Sequence, residues 1–113
     1  MAPLTIDELM TRLPQAFVPE KAGDLEATVQ FYFTGERASD WWVVIRDGTC
    51  LTGRGEKPAP NVTIKVDGQD YIDLVNGDLN PLSAFMQGKL IVSGDVTLAM
   101  RLRSLFEGTG NTS

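Results

Sequence analysis

The sequence predicts an α+β fold: a five-stranded, mostly antiparallel sheet covered by helices on one face, in the order α-β-β-β-β-α-α-β-α. Apolar residues recur at helical spacing near both ends of the chain, and between them lies a block in which they alternate with period two. Glycine, proline and Asx residues fall where the period changes. The 113 residues suit one domain around one core. The expected unit is residues 1–113, packed from about 5 to 106, with a tail over 107–113.

Thr5 and Glu8 have capping-box spacing, and Ile6, Leu9, Met10 and Leu13 share a face behind them, so the first element is a helix. Pro14 predicts its end near Leu13, because proline cannot donate back to the preceding turn. Phe17, Val18 and Pro19 then read as a packed connection. From Ala27 the period is two: Val29, Phe31 and Phe33 alternate with Thr28, Gln30, Tyr32 and Thr34 in a first strand. A turn around Gly35 to Ser39 leads to a second strand, Trp41 to Ile45, in which Trp41 and Trp42 must face opposite ways. Asp47-Gly48 marks a type I′ hairpin into a third strand, Thr49 to Thr52. Residues 53–60, with two prolines, read as an irregular loop.

Val62, Ile64 and Val66 mark a fourth strand, and Asp67 caps a helix through Tyr71, Leu74 and Val75 that stops at Gly77. Asn80-Pro81 opens a short helix carrying Leu82, Phe85 and Met86, which Gly88 ends. Lys89 to Ser93 is the fifth strand, with Leu90 and Val92 facing one way and Ile91 the other. The last helix is expected from Val96 to Phe106. Leu98, Ala99, Leu102, Leu105 and Phe106, extended by Val96 and Met100, cover an arc on the order of 220°, against roughly 100° for a helix facing one core. Such a helix has two apolar partners. One is the sheet; the other is a helix, a second subunit or a ligand.

Fifteen acidic against ten basic residues leave a net charge of −5, which argues against nucleic acid as a partner. The same balance disfavours tight docking on an anionic bilayer, and no apolar run reaches the ~20 residues of a spanning helix, so no stable membrane insertion is expected. Met1-Ala2-Pro3-Leu4 lacks the basic start of a signal peptide, so the expected location is cytoplasmic. The single cysteine, Cys50, excludes an internal disulfide and reads as a small core residue. There is no histidine, which removes the commonest general base, the usual nucleophilic triads and most transition-metal sites. Asp67, Asp70 and Asp73 read as capping and dipole compensation, and their spacing misses the calcium-loop pattern. Gly53-Arg54-Gly55 is too short for a dinucleotide fingerprint. No enzyme activity, cofactor or metal is expected.

The run Ala84-Phe85-Met86-Gln87-Gly88-Lys89-Leu90, with Gly94-Asp95 and Leu98-Ala99-Met100 after it, resembles the signature of the sterol carrier protein type 2 family. Ala27-Thr28-Val29-Gln30-Phe31, Trp41 with Asp47-Gly48, and Val62 to Asp67 extend the resemblance over roughly residues 5 to 106. The resemblance implies a non-catalytic carrier with an apolar tunnel for fatty acids, acyl-CoA, sterols or similar lipids. It implies lining by Phe31, Phe33, Trp41, Val43 and Ile45 from the sheet and by Phe85, Met86, Leu90 and Val92 from the central block. From the final helix it implies Leu98, Met100, Leu102, Leu105 and Phe106. The ending Gly110-Asn111-Thr112-Ser113 departs from the Ser-Lys-Leu-like signal of peroxisomal members, so peroxisomal targeting is not expected, and the lack of the thiolase or dehydrogenase domains fused to some members implies a stand-alone form. The competing expectation is an accessory domain that docks on a lipid-metabolising enzyme or on a second copy as a homodimer.

Overall fold

The computed structural model describes residues 5–36 and 38–106, apart from the side chain of Arg103; the expected tail lies outside this range. The chain begins with α1 (Ile6–Ala16), closed by the expected capping box: Thr5 Oγ1 accepts from the Glu8 amide at 3.1 Å, and the Thr5 amide donates to Glu8 Oε1 at 3.3 Å. The expected stop at Leu13 is corrected, because Pro14 lies inside the helix. Proline at this position deprives the Met10 carbonyl of its helical donor. The Thr52 hydroxyl supplies a replacement at 2.9 Å, so the helix continues for another half turn. The connection after it carries a short helix, α2 (Pro19–Ala22), which proline opens.

Four strands follow: β1 (Ala27–Thr34), β2 (Ser39–Arg46), β3 (Thr49–Arg54) and β4 (Val62–Asp67). The β2–β3 hairpin turns on Asp47 and Gly48, whose φ values of 52° and 71° match the type I′ expectation. β3 runs two residues beyond the expected Thr52. Gly53 belongs in the strand because the Trp42 indole lies where a β-carbon would stand. Asp67 then caps α3 (Gly68–Asn76), which ends on a left-handed Gly77. Asn80 caps α4 (Pro81–Met86), and β5 (Leu90–Gly94) leads into α5 (Val96–Leu102). The long final helix is corrected too: it tightens into a 3-10 turn over Arg103–Leu105. Phe106 is extended and pairs with Phe17, and the Val18 amide donates to the Leu105 carbonyl at 2.8 Å. Pairing with the α1–α2 connection and remaining helical are incompatible for this residue. The pairing wins.

The sheet order is β3-β2-β1-β4-β5, with β1 and β4 parallel and every other pair antiparallel. Register aligns Trp41, Phe31, Ile64 and Val92 in one row across four strands. That face carries the core, which Ile6, Met10 and Leu13 of α1 join from above.

β3 and β4 lie on opposite sides of the β2–β1 pair, so residues 55–61 must cross the other face of the sheet. Gln30 holds this crossing, and it is the one buried polar side chain among the described residues, at 1% exposure. Its Nε2 donates to the carbonyls of Trp41 at 3.1 Å and Gly55 at 3.0 Å, and its Oε1 accepts from the Lys57 amide at 2.9 Å. The Lys57 ammonium lies 4.4 Å from the Trp42 ring, Tyr32 donates to Glu56 at 2.6 Å, and the Asn61 amide reaches the Thr28 carbonyl at 2.8 Å. Gln30→Ala leaves these backbone groups without their partner and is expected to lose about 1–3 kcal/mol in urea denaturation. Amide exchange at Lys57 should accelerate with it. An unchanged denaturation midpoint would contradict the clamp.

Candidate functional site

The helices do not tile the core face evenly. α1 packs chiefly on β3, α3 stands at β4, α4 stands at β5, and α5 lies over both β4 and β5. Between them lies a cavity of about 500 Å³. Its floor is Val29 and Phe31 of β1, Val43 of β2, Ile64 of β4, and Leu90 and Val92 of β5. Leu13 closes it from α1, and Tyr71, Leu74 and Val75 from α3. Pro81, Leu82 and Phe85 of α4 face Val96, Ala99, Met100 and Leu102 of α5 across it, and Phe106 completes the wall. Leu82 and Met100 line the cavity yet keep 67% and 78% of their surface exposed, as Phe85 and Val96 do to a lesser degree. The mouth therefore lies between α4 and α5.

Every described lining side chain is hydrocarbon or thioether except Tyr71. Its ring packs at 5.8 Å from that of Phe31 and 5.0 Å from that of Phe33. Desolvation pushes its phenol up to about 12. The Cys50 thiol is likewise pushed up to about 11 by burial, and it lies outside the cavity wall. Among the described residues no group of three or more His, Cys, Asp or Glu is placed to hold a metal, and no helix is long and apolar enough to cross a membrane.

Of the expected site residues, Phe31, Val43, Phe85, Leu90, Val92, Met100, Leu102 and Phe106 line the cavity. Phe33, Trp41, Ile45, Leu98 and Leu105 are buried core residues away from its wall, and Met86 projects outward at 76% exposure. Trp41 is flanked by the Arg54 guanidinium at 5.5 Å, and its buried indole N–H has no partner among the described residues. The lining residues that the sequence reading left out come from several elements of the wall, and α3 supplies three of them. Tyr71, Leu74 and Val75 have the i, i+3, i+4 spacing of a buried stripe, which marks a covered face but not what covers it. Val29 shares a strand face with Phe31, Ile64 pairs with Phe31 and Val92 across the sheet, and Ala99 lies beside Leu98 and Met100 on α5, whereas Leu13 comes from α1, on which no lining residue was expected.

A five-stranded sheet roofed on one face by short helices around an apolar cavity defines an α+β fold with room for an apolar ligand. A sequence model of the SCP-2 sterol transfer family matches residues 6–107, and the chain belongs to that family. The family's domain is a non-catalytic fold that binds and transfers apolar lipids. Hydroxysteroid dehydrogenase-like protein 2 of Danio rerio is 29% identical over 101 residues, which cover 88% of this chain and 24% of that protein. The chain spans a quarter or less of the curated relatives that it matches first. Among solved structures, the sec-alkylsulfatase Pisa1 from a Pseudomonas species superposes with a TM-score of 0.83 at 22% identity, over 97% of this chain and 17% of that one. Palmitated SCP2L2 from Aedes aegypti gives 0.71 at 23% identity, over 92% of this chain and 96% of that one. At these identities the two structures share the fold with this chain.

The buried phenol predicts how the protein fails in alkali. Tyr71 holds its proton to about 12 when folded and to the ordinary 10.0 when unfolded. Its contribution is thus complete below pH 10 and lost as pH rises to about 12. Cys50 contributes a separate loss between 9.0 and about 11. In a Cys50→Ser background the urea midpoint should fall between pH 10 and 12, and adding Tyr71→Phe should flatten that fall. Parallel curves for the two variants would contradict the assignment.

Proposed function

We propose that this chain carries a single apolar lipid by burying the hydrocarbon tail in the cavity between the sheet and the α3–α5 helices. The observation that carries this is the lining: about 500 Å³ walled from every layer of the fold, with a mouth edged by exposed Leu82, Phe85, Val96 and Met100. At about 0.8 kcal/mol per methylene, a tail of about 14 methylenes gains on the order of 11 kcal/mol on leaving water. Lost rigid-body and chain freedom opposes this by an estimated 4–15 kcal/mol. The residual affinity is modest, which suits a carrier that must release its cargo. Met100 at the mouth is unbranched and polarisable, so it can follow tails of different shape. The palmitated state of the insect protein of the same fold supports an acyl tail as the occupant. The absence of histidine from the sequence fits a carrier rather than a catalyst.

A second reading rests on a specific observation. The regions similar to this chain form a small part of longer proteins, among them a dehydrogenase-like protein and a sulfatase. The same cavity would then present lipid to an enzyme domain or an enzyme partner. Both readings require the tail to be buried.

Fluorescence displacement tests this. A hexadecyl acyl probe should bind at least tenfold more tightly than an octyl one, since each pair of buried methylenes is worth roughly tenfold. Ala99→Trp, which places an indole inside the wall, should weaken the hexadecyl probe more than tenfold while far-ultraviolet circular dichroism stays unchanged. Equal binding of the two probes, or full binding by the filled variant, would overturn tail burial.

A further inference from the structure

Tyr71 carries the only polar side chain of the described cavity wall. No described residue donates to or accepts from that hydroxyl, whereas Gln30, the buried polar side chain of the opposite face, engages both atoms of its amide. The ring packs at 5.0 Å to Phe33 and 5.8 Å to Phe31, contacts that a phenylalanine would make equally well. Tyr71 lines the cavity and is only partly covered by its neighbours, and burial raises its phenol above the ordinary value. The mouth residues sit on α4 and α5, while Tyr71 stands on α3 against the aromatic floor of β1. A polar group on this wall stands apart from the exposed α4–α5 rim, on the side that an occupant entering past that rim would approach.

We propose that the Tyr71 hydroxyl is a specificity-determining hydrogen-bonding group that favours apolar lipids carrying an uncharged oxygen, a hydroxyl or a carbonyl, at the end that enters the cavity first. This rests on the lipid-carrier reading and deepens it. The oxygen is uncharged because no cationic side chain lines the described wall, and a carboxylate drawn to this depth would lose its water without a counter-charge. A fatty acid therefore enters tail first, with its carboxylate in water at the mouth, and leaves Tyr71 unmet. A long-chain alcohol or ketone enters oxygen first and satisfies both partners, since a neutral phenol donates to a carbonyl and both donates to and accepts from a hydroxyl. The hydrogen bond forms where water does not compete, so its loss is felt in selectivity rather than in tail affinity.

The test uses 1-decanol and n-undecane, which have the same number of heavy atoms, as competitors of bound cis-parinaric acid. Tyr71→Phe should lower the ratio of decanol to undecane affinity about three- to tenfold, the scale of one net hydrogen bond. A direct readout is the carbonyl stretch of bound 2-undecanone. It should lie at lower frequency in the wild type than in Tyr71→Phe. An unchanged ratio with the same carbonyl frequency in both proteins overturns the role of Tyr71 and leaves the cavity intact. A wild type that binds neither competitor nor the parinaric probe overturns the carrier reading itself, and the role of Tyr71 with it.

Discussion

The arrangement around the cavity depends on the crossing of residues 55–61 over the face that the helices leave bare. Because the chain crosses there, β4 arrives on the far side of β1 and runs parallel to it. That pairing sets Ile64 beside Phe31 and Val66 beside Phe33. It also sends the chain out of β4 on the helix side, where α3 and α4 build the wall opposite α5. Gln30 makes the crossing affordable in free energy, since it meets the backbone groups that a loop laid over a sheet would otherwise bury unpaired. A polar residue on the inaccessible side of β1 thus governs the apolar side.

The cavity follows from a mismatch of lengths. Five strands at about 4.8 Å separation put roughly 19 Å across the sheet. Helices α3, α4 and α5 have 9, 6 and 7 residues, so each is only about 9–14 Å long. None spans the face. Each instead covers part of it and contributes one side of a wall, and the row Phe31, Ile64 and Val92 is left as an open floor. The breadth of the apolar arc on the last helix has the same origin. Leu98 turns into the core while Ala99, Met100 and Leu102 face the cavity, so one short helix serves two apolar surroundings.

Local structure was largely legible in the sequence because its causes are local. The caps at Thr5, Asp67 and Asn80, the hairpin at Asp47-Gly48 and the alternation of β1 all depend on residues within one turn or one strand. What escaped depends on distant partners. Pro14 is tolerated because of Thr52, and β3 lengthens over Gly53 because of Trp42. The site was legible as a group and blurred residue by residue. Phe31 and Phe33 share one face of one strand, yet only Phe31 reaches the cavity wall, while the Tyr71 ring sits closer over Phe33. Strand periodicity cannot separate two residues on one face. Only the placement of α3 does.

The central claim is that the occupant lies on the sheet beneath α3–α5, within the protein. Stearic acid bearing a nitroxide near its methyl end measures this directly when added to protein with labelled methyl groups. Tail burial predicts that the methyl resonances of Val29, Ile64, Val92 and Ala99 broaden most, while those of Val44 and Leu51 on the opposite face stay sharp. Broadening confined to the exposed rim of Leu82 and Met100, with the floor untouched, would show a surface contact and contradict the account.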